Sequence, residues 1–124
     1  MSENHTLKAL AEAFLRLTAS GKIAEAYARY IGDGFIHHNQ YFKGDKASLM
    51  HGMQENADKF TDKSLEMKAA VQEGDRVVTY SHVRMGDMHI AVFHMFRFKD
   101  GKVVELWDVG QPIAKDSPNK NGMF

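Results

Sequence analysis

Hydrophobic positions along this chain change their period once, near Thr61. Before it the spacing is helical. Leu7, Leu10, Ala11, Phe14 and Leu15 recur on one face, with Lys8, Glu12 and Arg16 on the other, which predicts an amphipathic helix. Ser20-Gly21 breaks it. Ile23, Ala26, Tyr27 and Tyr30 predict a short second helix, ended by Gly32-Asp33-Gly34. Phe35 to Phe42 is mixed and reads as a strand or loop over a pocket mouth. Asp45 is placed to cap a third helix carrying Leu49, Met50, Met53, Ala57 and Phe60 on one face.

After Thr61 the period is two. Leu65, Met67, Ala69 and Val71 alternate with polar residues, and Glu73-Gly74-Asp75 turns the chain. Arg76–Met85, Met88–Lys99 and Lys102–Gln111 complete a meander, with turns at Gly86-Asp87 and Asp100-Gly101. Helices followed by four consecutive antiparallel strands predict an α+β domain, its helices on one face of a curved sheet. From Pro112 on the chain is polar, and 112–124 reads as an extended tail of a single domain, 1–124.

The alternation breaks where it matters. Asp-Gly between two alternating runs is a strong hairpin signal. If that turn is tight, His94, on the face of Ile90, Val92, Phe96 and Phe98, stands opposite Asp108, on the face of Val104, Leu106 and Gly110. Cross-strand neighbours lie about 4.5–5.5 Å apart at Cβ. An acid and an imidazole side by side on an apolar sheet face mark a candidate site.

Composition narrows the classes. Sixteen basic and sixteen acidic residues cancel, leaving no electrostatic footprint for nucleic acid or an anionic membrane. No apolar run approaches the roughly 20 residues that span a bilayer. The opening MSENHTLKAL lacks a basic segment followed by an apolar one, so no secretory signal is expected. With no cysteine, thiol nucleophiles, disulfides and thiolate metal sites drop out, and a cytoplasmic location is expected. Seven histidines occur without HxH or HExxH spacing on one predicted element, and GxSxG is absent, so neither a metal site nor a serine hydrolase is expected. Eight methionines read as soft core filler or as the lining of an adaptable pocket.

The opening helices, Phe35-Ile36-His37-His38-Asn39, the EGDRVV run at 73–78, FRFKDGKVVELWDVGQP at 96–112 and the closing NKNGMF together resemble the SnoaL-like polyketide cyclases of the nuclear transport factor 2-like superfamily. The resemblance covers nearly the whole chain, and the C-terminal hairpin is its most specific part. It implies a cone of three helices packed into a strongly bent antiparallel sheet, with a pocket in the cone and a homodimer through the outer sheet face. It also implies an acid–base intramolecular aldol condensation without metal or cofactor. The ligand would be a small apolar molecule with carbonyl groups.

By the same resemblance Asp108 takes the role of the pocket aspartate and His94 that of the assisting histidine. The chain departs from the closer branch at two positions: His94 stands where an acidic residue is expected, and Leu106 where a histidine is. His38 and Asn39 match the pocket-mouth segment, and one of them could hydrogen-bond a ligand carbonyl; of the adjacent pair His37 and His38, His38 is expected to face inward. Tyr27 and Tyr30 could reach the cavity from the second helix, and Trp107 could stack on a ligand or pack at an interface. His82 is expected to be exposed or at a dimer interface. Each has a bland reading: Asp108 could pair with Arg97, His94 could sit in the core on a backbone carbonyl, and the tyrosines could be core. The superfamily also hosts isomerases, dehydratases and non-catalytic ligand-binding or dimerisation modules, so these remain alternatives.

Overall fold

The structure, a computed structural model, describes residues 6–124. Residues 1–5, half of the segment read for a secretory signal, lie outside it. Three helices form: α1 (Leu7–Ala19), α2 (Ile23–Tyr30) and, after one intervening strand, α3 (Lys46–Lys59). Thr6 Oγ1 caps α1 by accepting from Ala9 N at 3.1 Å. Asp45 caps α3, accepting from Ser48 N at 3.0 Å and Ser48 Oγ at 2.7 Å, and these bonds hold its carboxyl below the usual carboxylate range.

Five strands form one sheet: β1 (Ile31–His37), β2 (Ser64–Glu73), β3 (Arg76–Met85), β4 (Met88–Lys99) and β5 (Lys102–Pro112), in the order β1-β5-β4-β3-β2. The four expected strands run antiparallel as a meander. The fifth corrects the expectation at Gly32-Asp33-Gly34. These residues do not form a turn between elements but lie inside β1, which pairs parallel to β5. The register slips between Ile31 and Ile36, where Gly34 has φ +76°. Gly32 fits because a Cβ there would stand 2.8 Å from Lys102 Cβ. The glycines thus admit an irregular edge strand rather than terminate the chain's direction.

Asp100 and Gly101 both have positive φ, 53° and 76°, the twist that suits a tight hairpin, and Lys99 pairs with Lys102 across them. Further register shifts between Met67 and Ala69 and between Arg97 and Phe98 bend the sheet. Its concave face receives the helices. The core joins Phe14 of α1, Tyr27 of α2 and Phe96 of β4, with Phe14 ring centroids 5.7 Å from Tyr27 and 6.1 Å from Phe96. None of the described helices is long and apolar enough to cross a membrane.

After Pro112 the polar tail folds back on the convex face. Ile113 N donates to His89 O at 2.8 Å, Tyr80 Oη donates to Met123 O, and the Phe124 ring packs against Tyr80 and His82.

Candidate functional site

A cavity of about 490 Å³ opens between the helices and the concave face of the sheet, within the range of small-molecule sites. Its wall is mostly apolar, from residues such as Phe14, Leu49, Met53, Leu65, Val92 and Leu106. Besides the hydroxyl-bearing Thr18 and Tyr41, five amide or titratable side chains interrupt it: Asn39, Asn56, Lys63, His94 and Asp108. Met53 and Met85 also line it, so two of the eight methionines face the pocket.

His94 and Asp108 are direct partners in the β4–β5 register. Period-two alternation on each strand and the two-residue turn between them set this meeting. Asp108 is half-buried, and its Oδ2 accepts from Asn39 Nδ2 at 3.0 Å. Asn39 is in turn fixed by its own loop: its Oδ1 accepts from Tyr41 N at 2.9 Å and its backbone N–H donates to His37 Nδ1. The carboxylate therefore has a held donor and no arginine partner; Arg97 donates instead to Glu105 Oε1 at 2.8 Å.

His94 is partly buried on the concave face, at the cavity wall. Burial, opposed by the charge of Asp108 and reinforced by that of Lys63, holds its imidazole well below the ordinary histidine value, so the ring is neutral at neutral pH. Its Nδ1 is buried without a hydrogen-bond partner, as are Thr79 Oγ1, from the residue directly opposite on β3, and Ser81 Oγ. A neutral imidazole beside a carboxylate supplies one hydrogen-bond donor and one base in a low-dielectric space.

The remaining sequence candidates separate. His37, not His38, is the buried member of the pair: it is 5% exposed, and its Nε2 contacts Lys43 O at 2.6 Å. The reason is the short loop after β1, whose backbone groups need a buried partner that His37 provides at both nitrogens. His38 faces out, stacked on Trp107 at 4.7 Å and 2.7 Å from Glu105 Oε2; those bonds to His38 and then Arg97 hold the Glu105 carboxyl low. His38 does border a shallow depression outside the cavity mouth, which Asp108 also reaches. Trp107 lies on the convex face, with the Arg76 guanidinium 5.1 Å from its ring centre. Tyr27 is a layer behind the cavity wall. Its Oη donates to Met53 Sδ at 3.0 Å, and burial, then the charge of Asp108, raises its phenol well above the ordinary value. Tyr30 packs against the core from the rim of α2. His82 is on the convex face, its Nε2 2.8 Å from His89 Nδ1.

The structure thus brings Asp108, His94 and Asn39 together and leaves His38, Trp107 and Tyr27 outside the cavity. It adds Lys63 and Asn56, which carry no sequence signature beyond standing at the end of α3 and just before the period-two run. Among the described residues, no group of three or more His, Asp or Glu side chains is arranged to hold a metal ion.

The model of the SnoaL-like domain family matches residues 11–106. No curated protein sequence matches the chain. Similar solved structures include AclR, a candidate hydroxylase from Streptomyces galilaeus, at 23% identity over 85% of this chain and 78% of that one, with a TM-score of 0.73. Another is IdmH, a candidate polyketide cyclase from Streptomyces antibioticus, at 19% identity over 86% and 93%, with a TM-score of 0.73. A candidate ketosteroid isomerase from Kribbella flavida is 15% identical over 92% and 84%, again with a TM-score of 0.73. At these identities the likeness is one of fold, helices packed on a bent sheet.

Proposed function

The chain belongs to the SnoaL-like domain family, and from that premise we propose that it is an enzyme of small carbonyl compounds, catalysing an intramolecular aldol condensation without a cofactor. The observation that carries this reading is the Asp108–His94 pair inside an apolar cavity, with Asn39 holding the carboxylate. Asp108 removes a proton from the carbon next to a carbonyl. The neutral His94 donates a hydrogen bond to the enolate oxygen as it forms. The enolate carbon attacks a second carbonyl of the same molecule, and the resulting alkoxide takes the proton back from Asp108. A positioned base contributes typically 10²–10⁴-fold, and one aimed donor about 10²–10³-fold.

The test is Asp108→Asn against flat polyketide-like and steroid-like ketones. Both wild type and variant should be stabilised by the same ketone, since the isosteric amide keeps the pocket; a ligand at 100 times its Kd adds roughly 2.7 kcal/mol. Turnover should be lost only in the variant. Unchanged turnover in Asp108→Asn ends this mechanism. Ligand binding by the wild type without exchange of the α-proton into deuterated solvent would favour a non-catalytic ligand-binding module. An isomerase or dehydratase would share the proton abstraction, and its products would lack the new carbon–carbon bond.

We also propose a homodimer through the convex face, supported by three exposed apolar side chains there: Val71, Phe93 and Val109 are 63%, 50% and 72% exposed. The cysteine-free composition suits the reducing cytoplasm, where the protein is proposed to act.

A further inference from the structure

The reaction proposed above uses Asp108, His94 and Asn39 and leaves one charged group of the cavity without a role. Lys63, in the connection between α3 and β2, lines the same cavity. Its Nζ donates to Asn56 Oδ1 at 3.1 Å, and Asn56 lines the cavity too. Among the described residues no carboxylate forms an ion pair with it.

The Lys63 side chain is partly buried in the mostly apolar wall of the cavity, its ammonium held on Asn56. Burial pushes it below the ordinary lysine value, and no neighbouring acid offsets that fall. Asp108 makes no ion pair with it, although both side chains act on His94, one from each sign of charge. A protein cation held in an apolar wall with only a neutral amide as partner is costly unless something negative meets it. Among the described residues its acceptor is Asn56 Oδ1, which fixes the head group at the wall rather than neutralising it.

We propose that Lys63, positioned by Asn56, is an anion subsite, and that the ligand is a carbonyl compound bearing a carboxylate. The carboxylate binds Lys63 Nζ while the reacting carbonyl meets His94 and Asp108. This rests on the reading that the cavity is the ligand site, but it does not depend on catalysis. The carboxylate would orient a molecule whose remaining surface is apolar, which a wall of Leu, Val and Phe side chains cannot do alone. Lysine suits this task as a point charge on a flexible stem.

The experiment measures binding of 2-naphthoate and of the uncharged 2-acetylnaphthalene, by calorimetry, to wild type, Lys63→Met and Lys63→Arg. Wild type should prefer naphthoate by about tenfold or more, the scale of one well-placed charge-assisted hydrogen bond. Lys63→Met should lose that preference while keeping its affinity for 2-acetylnaphthalene, and Lys63→Arg should retain part of it. Lys63→Met should melt no lower than wild type, because it removes an uncompensated charge. Naphthoate binding that is absent, no better than that of 2-acetylnaphthalene, or unchanged in Lys63→Met overturns the proposal. The Asp108→Asn turnover assay is read separately, so the anion subsite and the aldol mechanism can each fail while the other stands.

Discussion

Asn39 Nδ2 donates to Asp108 Oδ2 at 3.0 Å, joining the loop after β1 to β5 across 69 positions of sequence. This contact ties the carboxylate of the site to a segment that the hairpin alone does not position.

Removing the donor should therefore be felt twice. A hydrogen bond to a charged group is worth about 1.5–3 kcal/mol, so Asn39→Leu should lower stability by that order and reduce turnover more than ligand affinity. Asn39→Asp sets a second carboxylate against the first, and its loss should exceed that of Asn39→Leu at neutral pH and shrink on mild acidification. Chemical denaturation of both variants across that range checks the order. An Asn39→Asp protein as stable as wild type at neutral pH would show that the contact does not hold Asp108.

His94 gives the pH dependence. Its folded value is depressed, by burial first. The unfolded chain, with a histidine near 6.5, therefore binds the proton before the folded one does. Stability is full above about 6.5 and falls as pH drops below it, towards the depressed folded value. The loss between about pH 6.5 and pH 5 should be on the order of 1–2 kcal/mol. In His94→Gln the same interval should be nearly flat. The lowered carboxyls of Glu105 and Asp45 act below this window, and they are common to both proteins. Equal pH slopes for the two proteins would exclude His94 as the source.

Gly52 and Phe42 set one wall of the cavity. A Cβ at Gly52 of α3 would stand 2.3 Å from Phe42 Cε1, a clash that only a swing of the Phe42 ring can relieve. Alanine in mid-helix otherwise gains about 0.5–1 kcal/mol over glycine. Gly52→Ala should fold with a melting temperature close to that of wild type and bind cavity ligands several-fold more weakly. Adding Phe42→Leu, which shortens the displaced side chain, should restore part of that affinity. Calorimetry on the single and double variants reads both effects.

The convex face should respond to charge. Val109→Lys and Phe93→Glu each place an ion among the exposed apolar side chains of β4 and β5. Sedimentation velocity should show the wild type as a dimer and both variants shifted to monomer, with cavity ligand binding intact. Monomeric wild type would remove the proposed interface.

How far these features are legible in the sequence depends on the distance over which each is decided. The three helices follow from apolar spacing within short windows, and the cap of α3, Asp45, from a side-chain oxygen next to the first turn. The β4–β5 hairpin follows from alternation and Asp100-Gly101, and the meeting of His94 with Asp108 follows from the hairpin. Trp107, expected as a candidate ligand-stacking ring, lies outside the cavity against Arg76 and His38, because alternation turns it to the face opposite Asp108. Local rules fail where the decision is not local. Gly32-Asp33-Gly34 looks like a stop in any short window, and only the edge of β5, about seventy residues later, makes it a strand.

Sequence by itself determined the three helices, the antiparallel meander and the acid–imidazole pair, because period and turn chemistry act between near neighbours along the chain; β1 it did not. Tertiary structure alone decided the rest. It turned His37 inward and His38 outward, because the loop's buried backbone groups required a partner. It brought Asn39 onto Asp108 and set Lys63 in the wall on Asn56, because helices and sheet closed around a common apolar core and carried those side chains with them.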